Sequence, residues 1–323
     1  MGYNKENYRR IREEYQNHYR EAYAEARRRT EEVHEKSPEL AALDGQLSTT
    51  WAKIAGAALG QGKAAAEQLK RVEEENVRLQ QKRAALLQGL GYPADYTTPH
   101  YDCEKCQDTG YIGTDMCECM KKKLVLAGYA SSGLGQLMQA QRFDNFDLSC
   151  YRGENKGDMS RNLQTMRDYA EAFDPATSGN LLLVGPTGLG KTHLSTATAR
   201  RIIDRGYDVY YTGAVAMLSD FERQRFGQGM TEEGTADTDR YFNCDLLIID
   251  DLGTEVVNQF STACLYTVIN ERINRRMPMI VNTNLQGKEL QARYADRIFS
   301  RLAGEFKPVV FKGMDVRQQK LSK

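Results

Sequence analysis

Gly185-Pro186-Thr187-Gly188-Leu189-Gly190-Lys191-Thr192 decides the fold, because each fixed position in it answers a need of triphosphate binding. Gly185, Gly188 and Gly190 let the backbone turn tightly and aim its N–H groups at phosphate oxygens. Lys191 has the reach for the β and γ phosphates, and the Thr192 hydroxyl suits magnesium. The flanks agree with this reading. Asn180-Leu181-Leu182-Leu183-Val184 reads as a short buried strand, and the run from His193 to Ala199 as a helix whose positive N-terminal end faces the phosphates. The stretch predicts a nucleotide-binding α/β domain with ATP and Mg2+ as cofactors.

The whole chain sets outer bounds. Its 323 residues suggest two domains, and 41% hydrophobic residues leave ample material for an α/β core. Lys and Arg number 44 against 44 Asp and Glu, so no global basic field points to nucleic acid, and any DNA contact must be a local patch. No run of about 18 apolar residues occurs, and the N-terminal segment is studded with Arg, Glu and Tyr in place of a signal-peptide core. These features predict a cytoplasmic protein without a membrane partner. Seven cysteines then read as metal ligands or buried thiols ahead of disulfides.

Residues 1–98 are dense in Ala, Glu, Arg, Lys and Gln, a composition that favours helix and suits partner binding. Pro38 should separate two helical stretches. In the second, Leu69, Val72, Asn76, Leu79 and Leu86 fall near three-four spacing, as a stripe packed on its own domain or a partner-binding seam with one polar Asn requires. Gly56, Gly60 and Gly62 are expected to interrupt or bend that helix. Residues 99–125 carry Cys103-Glu104-Lys105-Cys106 and Cys117-Glu118-Cys119, bridged by a turn around Asp108-Thr109-Gly110. Four thiolates in two close pairs suit one tetrahedral Zn2+, in a knuckle too small to fold without metal. The second pair is tighter than the usual spacing, which leaves room for a further ligand such as His100. Cys150, Cys244 and Cys264 have no such grouping and read as ordinary thiols. Residues 126–178 read as a linker and lead-in helix, with Arg142-Phe143-Asp144-Asn145-Phe146 inside it.

From 179 to 323 strands alternate with helices, the signature of a parallel α/β sheet. Strands are expected at 181–184, 208–212, 246–249, 279–283 and 309–311. Leu246-Leu247-Ile248-Ile249-Asp250-Asp251 is an apolar strand ending in two carboxylates, which assigns Asp250 to the magnesium shell and Asp251 to positioning the attacking water. Ile280-Val281-Asn282-Thr283-Asn284 ends another strand in polar residues. Asn284 is the first choice to sense the γ phosphate, with Asn282 the alternative. Between these strands, Tyr210-Tyr211-Thr212 and the run from Met217 to Phe226 mix aromatics with arginines, as single-stranded DNA binding or an ordinary amphipathic helix would.

Taken together, the phosphate loop, Asp250-Asp251, Asn284 and Asp296-Arg297-Ile298-Phe299-Ser300-Arg301-Leu302 resemble an AAA+ ATPase. They more closely resemble the DnaC/DnaI helicase loaders of the IstB-like ATP-binding branch. The resemblance covers roughly residues 100 to 320 and implies that Arg301 reaches the γ phosphate of a neighbouring subunit, with Arg297 close by, while Arg317 senses phosphate in its own subunit. A permanent charge and forked donors suit an arginine to both tasks. The resemblance also implies a replicative DNA helicase and single-stranded DNA as partners in replication initiation or restart, and self-association through an ATP-bridged interface. Asp251 stands where the wider family has Glu, which implies weak hydrolysis without partners. Six residues follow Arg317, so neither a full helical lid nor a C-terminal DNA-reading domain is expected. Two rival readings remain: an IstB-like transposition helper ATPase, and an ATP-binding adaptor whose core only switches shape.

Overall fold

The computed structural model describes residues 3–58, 63–135, 140–226, 238–316 and 318. Arg12–Cys119 forms one compact unit, and Met1–Ile11 with Met120–Lys323 forms another.

The first unit is helical. A helix spans Lys5–Lys36, and Pro38–Ala58 begins the next after the single residue Ser37. Ser37 explains the join: its hydroxyl accepts the Leu40 N–H at 3.3 Å, and Pro38 occupies the first helical position, where a missing N–H costs nothing. This helix runs through Gly56; Gly60 and Gly62 lie outside the described residues. The helix Lys63–Gly89 follows, and Leu87 packs with Val33 and Leu40 into a small core flanked by Leu86, Tyr92 and Tyr96. Arg83 grips Asp44 with both Nε and Nη2, at 2.5 and 3.1 Å, tying Lys63–Gly89 to Pro38–Ala58. Of the expected stripe, Val72 is buried, Asn76, Leu79 and Leu86 are half-buried, and the Leu69 side chain lies outside the described residues. A two-residue hairpin, β1 (Tyr111–Ile112) and β2 (Asp115–Met116), completes the unit beside the cysteines.

The second unit carries five parallel strands: β3 (Asn180–Val184), β4 (Val209–Gly213), β5 (Leu246–Leu252), β6 (Met279–Thr283) and β7 (Phe306–Val310). Their spatial order is β4-β5-β6-β3-β7. The last strand begins earlier than residue 309, since Phe306 already pairs with Asn180. Pro308 is accommodated because β7 lies at the sheet edge.

Period-two alternation builds a core on each face of the sheet. Leu181, Leu183, Ile248 and Ile280 face one side, where Met159, Met166, Leu194 and Ile202 cover them from the helices Glu154–Ala172 and Lys191–Asp204. Leu182, Leu247, Ile249 and Val281 face the other, under Met217, Leu265, Val268, Ile298 and Leu302 from the helices Ala214–Phe226, Gln259–Asn274 and Gly287–Glu305. The run Leu246 to Ile249 is fully buried because both faces of a central strand are covered. The chain leaves β3 for the far edge at β4, returns through β5 and β6, then crosses to β7. That switch point opens a crevice at the carboxyl end of β3, where ligands bind in open α/β sheets.

Candidate functional site

The loop Gly185 to Thr192 leaves β3 in that crevice. Gly185, Gly188 and Gly190 have φ of 151°, 76° and 85°, and Gly190 immediately precedes the helix Lys191–Asp204. A Cβ on Gly190 would lie 2.7 Å from the Phe146 ring, so only glycine fits between loop and ring. No side chain caps this helix start, which leaves its N–H groups and the positive end of its dipole facing the crevice. Lys191 is buried, and its Nζ donates to the carbonyls of Gly185 and Pro186 at 2.6 and 2.9 Å and to Asn284 Oδ1 at 2.6 Å. Lys191, Thr192, Asp251 and Asn284 all line one cavity of about 260 Å3.

The two aspartates are separated by a bulge in β5. Ile249 pairs with Val281 and Leu252 with Thr283, so three residue steps on β5 match two on β6. Asp251 absorbs the extra residue in the left-handed region, at φ 53°, a conformation that a short polar side chain tolerates best among non-glycine residues. It is exposed and lines the cavity, while its carbonyl accepts the Thr254 N–H and hydroxyl at 3.2 and 2.9 Å. Asp250 lies behind it, buried, and accepts the Asp251 N–H at 3.0 Å.

The two asparagines also part company. Asn284 lines the cavity against Lys191, whereas Asn282 is fully buried and donates to Ser195 Oγ and Asp250 Oδ1, each at 2.8 Å. Thr192, Asp250 and Asp251 supply hard oxygen donors of the kind magnesium prefers, beside a phosphate cradle.

Arg142-Phe143-Asp144-Asn145-Phe146, read from sequence as linker, is part of the site wall. Gln141, Asn145, Phe146, Asp147, Cys150 and Tyr151 line the same cavity. Phe146 stacks on Tyr151 with ring centroids 5.9 Å apart and meets His193 edge-on, and Tyr151 donates to the Leu189 carbonyl at 3.0 Å. His193 Nε2 lies 2.8 Å from the Arg142 carbonyl. From the other end, Asp315 lies against Gly188, where a Cβ would fall 1.9 Å from its Oδ1, and Val316 N–H donates to the Gly188 carbonyl at 3.1 Å. Arg317 lies outside the described residues.

Arg301 is half-buried and Arg297 exposed on Gly287–Glu305, a helix started by a capping box between Gln286 and Glu289. Neither lines the cavity that holds Lys191.

Of the aromatics that could stack on bases, Tyr211 is buried, Tyr210 and Phe221 are half-buried against the core, and the Phe226 side chain lies outside the described residues. Tyr211 bonds Asp250 and is 6% exposed; Tyr210 lies under Arg240, 4.3 Å from guanidinium to ring; Phe221 packs on Tyr241 and Phe242. The stripe of Ala214–Phe226 faces the sheet, as in an ordinary amphipathic helix.

In the helical unit, the sulfurs of Cys103, Cys106, Cys117 and Cys119 all lie within 4.8 Å of one another. Cys103 and Cys117 are 3.9 Å apart, and Cys106 and Cys119 3.5 Å. Four sulfurs about 2.3 Å from a central Zn2+ stand about 3.8 Å apart, so the spacing fits a tetrahedral ion. The four close this group without His100, which is exposed. Asp108, buried at φ 53°, folds the first pair by accepting the N–H groups of Asp102 and Cys103 at 2.8 and 2.9 Å. The Cys106 N–H draws the Cys103 thiol down to about 7, while burial pushes Cys119 up to about 12.

Fold and cavity together define a phosphate-loop nucleoside triphosphatase with the strand order β4-β5-β6-β3-β7. The model of the family described as IstB-like ATP binding protein matches residues 131–322, and the chain belongs to that family of ATPases. A protein of Sinorhizobium fredii named for insertion-sequence ATP binding is 34% identical over 105 residues, 32% of this chain and 34% of that protein. The match therefore spans about a third of that relative's length. Phage-like element PBSX protein XkdC of Bacillus subtilis is 26% identical over 207 residues, 60% of this chain and 75% of XkdC. Among solved structures, the DnaC helicase loader is similar at 22% identity and a TM-score of 0.47, over 54% of this chain and 98% of that one. Among the described residues no helix is long and apolar enough to cross a membrane.

Proposed function

We propose that the protein is a cytoplasmic, ATP-dependent loader that places a replicative DNA helicase on single-stranded DNA during replication initiation or restart. The observation that carries this reading is the pairing of an ATPase core with a separate helical unit, Arg12–Cys119, that ends in a four-thiol cluster. In this account residues 1–98 bind the helicase, 99–125 form a zinc knuckle that shapes the unit, 126–178 lead into the core, and 179–323 form the ATPase.

Bound magnesium would screen the charge of the β and γ phosphates. The loop N–H groups and Lys191 hold those phosphates, the Thr192 hydroxyl and Asp250 hold the metal shell, Asp251 orients the attacking water, and Asn284 reports on the γ phosphate. Arg301 serves the neighbouring subunit's site and Arg317 its own, so that ATP bridges subunits.

Co-purification with host proteins tests the partner. A replicative helicase retained by the full chain, and lost when Cys103, Cys106, Cys117 and Cys119 are all serine, is the expected result. A transposase retained instead would establish a second reading, a transposition helper, which the match over 131–322 favours. ATP hydrolysis unchanged by Arg301→Ala would point to an adaptor that works without a shared site.

A further inference from the structure

Asp250 is gripped by donors from three directions. The Tyr211 hydroxyl donates to its Oδ2, while Asn282 Nδ2 and the Asp251 N–H donate to Oδ1 at 2.8 and 3.0 Å. A carboxylate has about four lone-pair positions, so Oδ1 is filled and Oδ2 keeps one. Asn282 spends its second N–H on Ser195 Oγ at 2.8 Å, and Ser195 in turn donates to the Thr192 carbonyl at 3.1 Å. A chain of hydrogen bonds thus links Asp250 to Thr192, the two residues assigned to the metal shell. Asp250 and Tyr211 are 7% and 6% exposed, and Asn282 and Ser195 are fully buried.

Neutral donors suit this task. They orient the carboxylate without cancelling its charge, as a lysine or arginine would.

We propose that Tyr211 and Asn282 are positioning residues for magnesium-nucleotide binding: they fix Asp250 so that one lone pair of Oδ2 is left for the metal shell. The inference rests on the nucleotide site proposed above and adds two residues that the phosphate-loop reading does not include. Groups that orient a metal-binding carboxylate typically change metal affinity by about 10- to 100-fold when removed.

The test measures binding of a fluorescent, non-hydrolysable ATP analogue to the full chain, with magnesium titrated in and with EDTA. Tyr211→Phe should raise the half-saturating magnesium concentration about tenfold and leave metal-free affinity unchanged. Tyr241→Phe is the control, because the buried Tyr241 ring also donates its hydroxyl to a carboxylate, that of the half-buried Asp220, away from the cavity. It should lower stability comparably without moving the magnesium midpoint. A folded Tyr211→Phe protein whose magnesium midpoint stays within twofold of the parent overturns the proposal. Asn282→Ser supplies the same readout if Tyr211→Phe does not fold. Should the parent chain show no magnesium dependence at all, the nucleotide-site reading fails, separately from this one.

Discussion

Lys191 and Asn284, 93 residues apart in the chain, meet where Nζ donates to Oδ1 at 2.6 Å. The contact joins the phosphate loop after β3 to the polar end of β6, which is the neighbouring strand in the sheet. A group at that position is placed to register whether the lysine is occupied by phosphate.

The two side chains should therefore fail differently. Lys191→Ala is expected to weaken ATP-analogue binding about 100-fold or more, since it removes a buried charge-assisted contact. Asn284→Ala should hold affinity within a few-fold and lower kcat about 100-fold. Equilibrium titration beside steady-state hydrolysis separates the two, and equal loss of affinity in both variants would contradict these roles.

Asp251→Asn should leave ATP binding and thermal stability close to the parent while hydrolysis falls about 100- to 1000-fold. Asparagine tolerates the left-handed backbone at 251 as aspartate does, so the bulge in β5 survives and only the charge facing the cavity is lost. Circular dichroism melting with a phosphate-release assay checks both halves. A large drop in melting temperature would mean that the carboxylate is structural.

Much of this was legible in sequence because it is local. The phosphate loop, the apolar run ending at Asp250 and the paired cysteines each carry their chemistry within a few residues. The bulge was not legible, because it arises from registering β5 against β6, a contact between distant segments. The wall made by Phe146 and Tyr151 was missed for the same reason: it exists only where the lead-in segment folds back on Leu189 and Gly190. The sequence around Tyr211 fits single-stranded DNA binding or ordinary packing, and only its burial against Asp250 shows the Tyr211 ring packed inside.

Arg272 offers a stability test away from the cavity. It is fully buried, and its guanidinium donates to the carbonyls of Tyr241, Cys244 and Pro278 at 3.0, 3.0 and 2.8 Å. Arg272→Leu strands three buried acceptors and should cost about 3 kcal/mol or more in chemical denaturation. Arg201→Ala, which breaks a solvent-exposed pair with Glu171, should cost less than about 1 kcal/mol. Similar losses in the two variants would refute the distinction.

Asp245 gives the pH dependence a sign. Burial, with the nearby Asp208 charge adding to it, pushes this carboxyl up to about 6 against the opposing effects of the Asp208 N–H and Arg272. The folded chain then keeps the proton to higher pH than the unfolded chain, whose aspartates titrate near about 4. This group's contribution to stability is greatest below about pH 4 and is lost as pH rises to about 6. Asp245→Asn keeps an acceptor for the Asp208 N–H, now 2.9 Å away, and removes the charge. It should stabilise the protein above pH 6 and flatten the slope between about 4 and 6; denaturation midpoints across pH that match the parent would exclude this effect.

The loader account is tested most directly by helicase unwinding of a forked DNA whose single strand is coated with single-stranded-DNA-binding protein. The partner helicase should unwind it only when this protein and ATP are present, and Lys191→Ala should abolish the stimulation. Unwinding unaffected by the protein, or stimulated equally by the Lys191→Ala variant, would contradict the account.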